Sequence, residues 1–372
     1  MADKNIKRIT FLASPVLRPN MEAVLKNFAL ILKDNFELHL ITASYPENET
    51  IRRLYKINLY SQPKIDLANL VYSFMSCWSF LRKKKTDIMI NISQPATLGV
   101  ATAVVSRFSS AKSVVRMTGV LDEYKAIENP WKKIKAWILH KKISSIGYKQ
   151  ADHIISVGDK LIHDLHHIGI NDSKVSTLPQ PFNNEKFLPV GDNEKEKLKK
   201  QLNISTEKKI LLFVGRLSML KGADRFLEVV EGVARKTDRF QFCVVGEGEY
   251  LPAFKKFPAS LVYCAGRVPH GEVFKFFQVA DLLLFPSRTE GLPNTVLEAL
   301  SCKVPVIASP VGDITNWVSM TSNDPQIYIK YILKEKWILD KLNDSVAFDS
   351  LKSNYIELFK RIICGADGQG NT

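Results

Sequence analysis

No window of the chain reaches the roughly 20 consecutive apolar residues that a membrane-spanning helix needs, so integral membrane classes are set aside. No signal peptide is visible either: Met1 to Arg8 is charged, and the apolar stretch that follows is short and interrupted by Pro15. Cysteine is sparse. Cys77, Cys243, Cys264, Cys302 and Cys364 are scattered and odd in number, which fits reduced, mostly buried thiols in the cytoplasm better than a disulfide framework. No Asp-x-Asp pair follows a strand, and His163, His166 and His167 share a helix without a fourth ligand, so no metal is expected. Acidic residues are also short, 38 against 52 Lys and Arg, a formal balance of +14. Despite this charge no nucleic-acid-binding module is present, and no nucleic acid partner is expected. A repeat of solenoid period is absent too.

What remains is ample for two α/β domains: 372 residues, 45% of them hydrophobic. The most informative segment is FPSRTEGLPNTVLEALSCKVPVIASP, residues 285–310. Leu282 to Phe285 reads as a buried parallel strand, and Pro293 to Leu300 as the helix after it, with proline in the first turn where a missing N–H costs nothing. Glu290 then lies in a loop at the carboxyl end of a strand, where open α/β sheets bind ligands. Amides around Gly291 to Asn294 crown a helix N-terminus suited to phosphate. Glu298 is more than a turn inside the helix, so the two glutamates would hold different parts of one extended ligand.

A second strand, Ile210 to Val214, runs into Gly215-Arg216-Leu217-Ser218-Met219-Leu220-Lys221-Gly222. Glycines at both ends permit a tight turn and close backbone approach, and Arg216 and Lys221 supply the cations a diphosphate needs. A surface Arg and Lys beside an ordinary βα turn is the plain alternative. A third strand, Phe242 to Val245, ends in Gly246-Glu247-Gly248, which is not a dinucleotide fingerprint because Leu251 occupies the third glycine position.

From about Ala151 to Val318 the chain resembles the retaining, nucleotide-sugar-dependent glycosyltransferases of family 4 (glycosyl transferases group 1). The resemblance rests on FVGRLSMLKG at 213–222, VVGEGEY at 244–250 and ADLLLFPSRTEGLPNTVLEALSCKVPVIASPVG at 280–312. It implies an α/β GT-B fold, two Rossmann-like doubly wound domains facing a central cleft. It also implies roles. Arg216 and Lys221 would bind the donor diphosphate and stabilise the departing phosphate, Glu290 the sugar hydroxyls, and Glu298 the ribose. Gly215, Gly246, Gly291, Leu292 and Asn294 would line the donor site, and Arg267 and Val268 would border the base. The co-substrate would be a UDP- or GDP-sugar, with no cofactor and no metal.

The chain departs from the family pattern in two places. The loop Ser14 to Asn20 after the first strand has no glycine, leaving Arg18 or nearby amides to substitute; and Ser319 to Pro325 replaces a usual glycine-containing turn and strand. These departures keep open a non-catalytic partner in an assembly complex, and a sugar-nucleotide hydrolase or epimerase on the same fold. The expected organisation is an acceptor domain at 1–190, a donor domain at 191–345, a helix at 346–364 crossing back to the first domain, and a disordered tail at 365–372.

Residues 1–190 hold 27 basic and 16 acidic side chains, and the remainder 25 and 22, so the excess sits on the first half. Its densest part, Pro130 to Ile143, gathers Trp131, Ile134, Trp137 and Ile138 on one side of a helix with lysines on the other. Such a helix suits an anionic membrane surface, and a core-packed helix with a solvated lysine face is the alternative. The implied acceptor is a polyprenyl-diphosphate-linked saccharide used in building bacterial surface polysaccharide (O-antigen, capsule or exopolysaccharide). The enzyme would then sit peripherally on the inner face of the cytoplasmic membrane. Arg18, Arg116, Thr118, Gly119, Asp122 and Glu123 are the acceptor-side candidates, chosen for their position after strands.

Overall fold

The computed structural model describes residues 6–62, 68–118, 130–182, 185–290, 293–342 and 348–365. The chain divides into two compact units: Met1–Pro181 together with Ser345–Thr372, and Phe182–Asp344.

The first unit is built on seven strands, β1 (Arg8–Leu12), β2 (Glu37–Thr42), β3 (Tyr55–Leu59), β4 (Ile88–Asn91), β5 (Lys112–Met117), β6 (His153–Ser156) and β7 (Val175–Thr177). They pair in the order β3-β2-β1-β4-β5-β6-β7, every pair parallel. Parallel strands covered on both faces read as unbroken apolar runs, and β4 is buried at all four positions. Helix Pro19–Leu32 buries Met21, Leu25, Phe28, Ala29 and Leu32, the three-and-four spacing of one helix face.

Helix Phe348–Cys364 belongs to this unit although it ends the described chain. It buries Leu351, Tyr355, Leu358, Phe359 and Ile362. The Tyr355 ring meets Phe28 edge-on at 5.2 Å, Phe359 meets Phe36 at 6.2 Å, and the Tyr355 hydroxyl donates to Pro179 O at 3.0 Å. Each such side chain contributes about 1.5–3 kcal/mol of burial, which is what docks a helix so distant in sequence.

The second unit holds β8 (Lys209–Val214), β9 (Phe240–Val245), β10 (Val262–Gly266), β11 (Leu282–Phe285) and β12 (Val306–Ala308), paired in parallel in the order β10-β9-β8-β11-β12. Phe226 of helix Ala223–Ala234 centres the core, with ring centroids 4.9 Å from Phe213, 5.8 Å from Phe242 and 5.4 Å from Phe254. The unit begins earlier than residue 191, because Phe187 is buried against Phe277 at 5.7 Å and Gln278 Nε2 donates to Leu188 O at 3.1 Å. The charged run from Asp192 forms the exposed helix Asp192–Gln201.

In both sheets the strand order reverses beside the first strand, between β1 and β4 and between β8 and β11. At such a switch point the loops leave in opposite directions and open a crevice at the carboxyl ends of the strands.

Candidate functional site

The crevice of the second unit lies between the loop after β8 and the loop after β11. Lys221 closes the 3₁₀ turn Met219–Lys221 on the first loop, and Glu290 ends the described part of the second. The Lys221 ammonium pairs with Glu290 Oε1, and the Ser287 hydroxyl donates to the same oxygen at 2.8 Å. Glu290 is the more buried partner, its side chain 12% exposed against 39% for Lys221, so the ammonium faces outward from a fixed carboxylate.

Backbone ties hold the two loops in this register. Leu220 O accepts from Arg288 N at 2.9 Å and from Ser287 Oγ at 3.2 Å. The Arg288 guanidinium forks onto both Asp224 oxygens at 2.6 Å, the planar bidentate geometry that suits arginine. That fork raises the Arg288 pKa, and although burial opposes it, it also holds the Asp224 carboxyl below its ordinary value. Asp224 sits in the first turn of helix Ala223–Ala234, where a negative charge is favoured.

Gly222 and Gly246 make the close packing possible. Gly222 has φ +73°, and a Cβ there would fall 2.0 Å from Pro286 O; Gly246 has φ +141°, and a Cβ there would fall 1.9 Å from Gly215 O. No side chain fits either place, so the loops after β8, β9 and β11 touch backbone to backbone.

The other donor-side residues surround this pair. Arg216 is exposed on the loop after Gly215, and Asn294 opens helix Asn294–Ser301, with Pro293 as its N-cap and not inside its first turn. Glu298 is 5% exposed within that helix. Burial, and then the charge of Glu298, push the Cys302 thiol up to about 12. Arg267 and Val268 follow β10, the outer strand, two places from β8. Gly291 and Leu292 lie outside the described residues.

Sequence reasoning missed Asp224, Ser287 and Arg288. Asp224 and Arg288 are 64 residues apart, and no periodicity links two loops that only the sheet order makes neighbours.

The acceptor-side candidates belong to the first unit and fare differently. Arg18 is exposed, at the N-cap of helix Pro19–Leu32, and Thr118 is half-buried just after β5. Arg116 requires a correction: its side chain is fully buried and not available to a ligand. The guanidinium donates to Ile92 O at 2.7 Å and Gln180 Oε1 at 3.4 Å, and lies 4.9 Å from the Phe28 ring centroid. As the penultimate residue of β5 it points into the unit, where burial lowers its pKa. Gly119, Asp122 and Glu123 lie outside the described residues. Among the described residues no group of three His, Cys, Asp or Glu side chains is arranged to hold a metal ion; His166 Nε2 instead meets Asp172 Oδ1 at 2.6 Å. Nor, among them, is any helix long and apolar enough to cross a membrane.

Known proteins resemble this chain in part of its sequence and in its fold. Residues 194–330 match the family model described as Glycosyl transferases group 1. The alpha-galactosylglucosyldiacylglycerol synthase of Streptococcus pneumoniae is 30% identical over 166 residues, 43% of this chain and 44% of that protein. The N,N'-diacetylbacillosaminyl-diphospho-undecaprenol alpha-1,3-N-acetylgalactosaminyltransferase of Campylobacter jejuni is 26% identical over 243 residues, 59% of this chain and 62% of its own length. The chain therefore spans less than two thirds of either relative. Among solved structures, Anabaena HepE in complex with UDP and glucose superposes with a TM-score of 0.69 at 13% identity, covering 97% of each chain, a likeness of fold. Residues 194–330 of this chain thus match the glycosyl transferases group 1 family, and the chain has an α/β GT-B fold.

Proposed function

We propose that the protein is a retaining glycosyltransferase that moves a sugar from a nucleoside-diphosphate sugar to a lipid-linked saccharide in bacterial surface polysaccharide synthesis. The observation that carries this reading is the Lys221–Glu290 pair at the switch point of the second sheet. It sets a cation and a carboxylate side by side where a strand-end ligand binds. Breaking the bond between the sugar and its phosphate leaves negative charge on the phosphate oxygen. Lys221 and Arg216 are the side chains that stabilise it, Glu290 orients the sugar hydroxyls, and Glu298 takes the ribose hydroxyls. Fixed cations serve this purpose well because they need no reorganisation as charge develops, and losing one such donor costs about 10²–10³ in rate. With retention the acceptor oxygen enters on the face the phosphate leaves, so the departing phosphate itself can take the acceptor proton. The reading calls on no metal or cofactor.

UDP is the first nucleotide to test, since HepE was crystallised with UDP and glucose. The Campylobacter relative's name describes a diphospho-undecaprenol acceptor, which supports a polyprenyl-diphosphate-linked acceptor here. The exposed basic helix from Pro130 supports peripheral contact with an anionic membrane on the cytoplasmic side, beside such an acceptor.

The experiment is transfer from labelled UDP- and GDP-sugars to a polyprenyl-diphosphate-linked saccharide, with the anomeric configuration of the product read by NMR. A product of the donor's configuration is expected. Inversion would remove the retaining mechanism. Donor turnover without acceptor would replace the reading with a hydrolase or epimerase, and absence of nucleotide binding with a non-catalytic partner.

A further inference from the structure

Three helical segments of the first unit pack side by side on its sheet: Ala68–Lys83, the run from Pro95 to Ser106, and the run from Pro130 to Gln150. Extended to the ends of their turns, at residues 68–85, 95–112 and 130–150, they contain no Asp or Glu and twelve Lys and Arg. Of the carboxylates that flank them, Asp87 accepts from Arg8 N at 2.8 Å and Asp152 from Ser113 Oγ at 2.7 Å, while Asp66 and Glu128 lie outside the described residues.

Large apolar side chains stand out of this layer in two places. Trp131 is 83% exposed, and Ile134, Trp137 and Ile138 are exposed beside it, with Lys142 Nζ 5.4 Å from the Trp137 ring centroid. The core-packed reading of this helix face fails, because these are the residues the core would have taken. Elsewhere on the layer Trp78, 46% exposed, and Phe108, 73% exposed, meet edge-on at 5.8 Å, with Met75 exposed one turn before Trp78. Next to Phe108, Arg107, Ser109, Lys112, Lys149 and Lys174 line a cavity of about 520 Å³.

Helix electrostatics explain only some of the cations. Arg82, Lys83 and Lys149 lie in last turns, where positive charge is favoured. Lys133 is exposed in the first turn of helix Pro130–Trp137, where the dipole opposes it, and that turn itself holds no acidic residue. An external anionic surface accounts for both the charge and the bare tryptophans, since Trp settles at the water–lipid interface and each Lys or Arg near anionic lipid adds about 1 kcal/mol.

We propose that this carboxylate-free helical layer lies on an anionic lipid bilayer through two separate anchors, the Trp131–Ile138 segment and the Trp78–Phe108 pair. The proposal extends the membrane part of the reading above and is independent of the chemistry.

The test is sedimentation of the full-length protein with phosphatidylcholine vesicles with and without phosphatidylglycerol. Wild type is compared with Trp131→Ser/Trp137→Ser and with Trp78→Ser/Phe108→Ser, all sites being exposed; thermal melting checks that each variant folds. Binding is expected only with phosphatidylglycerol, weakened on the order of tenfold by each pair of substitutions. Loss in the first variant with wild-type binding in the second overturns the second anchor and leaves the helix contact standing. No binding to anionic vesicles, or equal binding to neutral ones, overturns both. Self-association of the free protein that either pair abolishes, without vesicle binding, assigns the face to a second copy and also overturns the proposal. None of these outcomes bears on sugar transfer, which is read separately.

Discussion

Gly222 offers a direct test of how the site is held. Its φ of +73° is left-handed, and a Cβ would fall 2.0 Å from Pro286 O and 2.6 Å from Pro286 C, both backbone atoms that cannot rotate aside. Gly266 has nearly the same backbone, φ +67°, with nothing within 4 Å of its Cβ position. Gly266→Ala therefore carries only the left-handed penalty, about 1–2 kcal/mol. Gly222→Ala adds the displacement of Pro286, comparable to overpacking a core, about 1–3 kcal/mol more. For a unit of roughly 160 residues, each kcal/mol moves the melting temperature by about 2–4 °C. Gly222→Ala is thus expected to melt about 4–8 °C below Gly266→Ala, for a gap near 2 kcal/mol. Thermal and urea unfolding of both variants measure this difference. Equal destabilisation would refute the argument that the loops after β8 and β11 touch at Gly222. Because Pro286 leads directly into Ser287 and Glu290, the same displacement separates Glu290 from Lys221. Transfer activity in Gly222→Ala should fall further than its stability accounts for at a temperature where it remains folded.

Three more expectations concern single groups. Lys221→Met should lower kcat by about 10²–10³ with a much smaller change in nucleotide affinity; an unchanged kcat would take Lys221 out of leaving-group stabilisation. Glu298→Ala should abolish the rise in melting temperature that UDP or GDP gives the wild type, and a retained shift would place the ribose elsewhere. In the first unit, hydrogen bonds from His39 and then Lys56 hold the Glu37 carboxyl at about 2, below its ordinary 4.5, while burial above all lowers His39 from 6.5. Both shifts favour the fold at neutral pH. Stability is present in full above 6.5, declines first as the unfolded chain takes up the His39 proton, and declines again between 4.5 and about 2 as Glu37 is protonated. Glu37→Gln should flatten the second decline, worth about 1 kcal/mol for a pair partly open to solvent; a wild-type acid profile in that variant would remove Glu37 as its source.

The apolar runs of β8, β9 and β11 and the glycines that end the first two were legible in the sequence, because buried parallel strands need unbroken apolar side chains and tight turns need glycine. So were the positions of Arg216, Lys221 and Glu290 in loops at strand carboxyl ends, and of Glu298 inside the helix after β11. Sequence also determined the charge excess of the first half and the two-faced pattern of residues 130–143. It did not determine which side of that helix would be covered. Tertiary structure decided that Trp131 and Trp137 stay outside and Arg116 goes inside, since burial depends on what packs above a residue and not on the residue itself. It also decided the partners of Lys221 and Arg288. Strand order brings β11 next to β8 across the intervening β9 and β10, and a pairing made by sheet order leaves no local trace. The same holds for Trp78 and Phe108, which share a surface only because their helices are neighbours on one sheet.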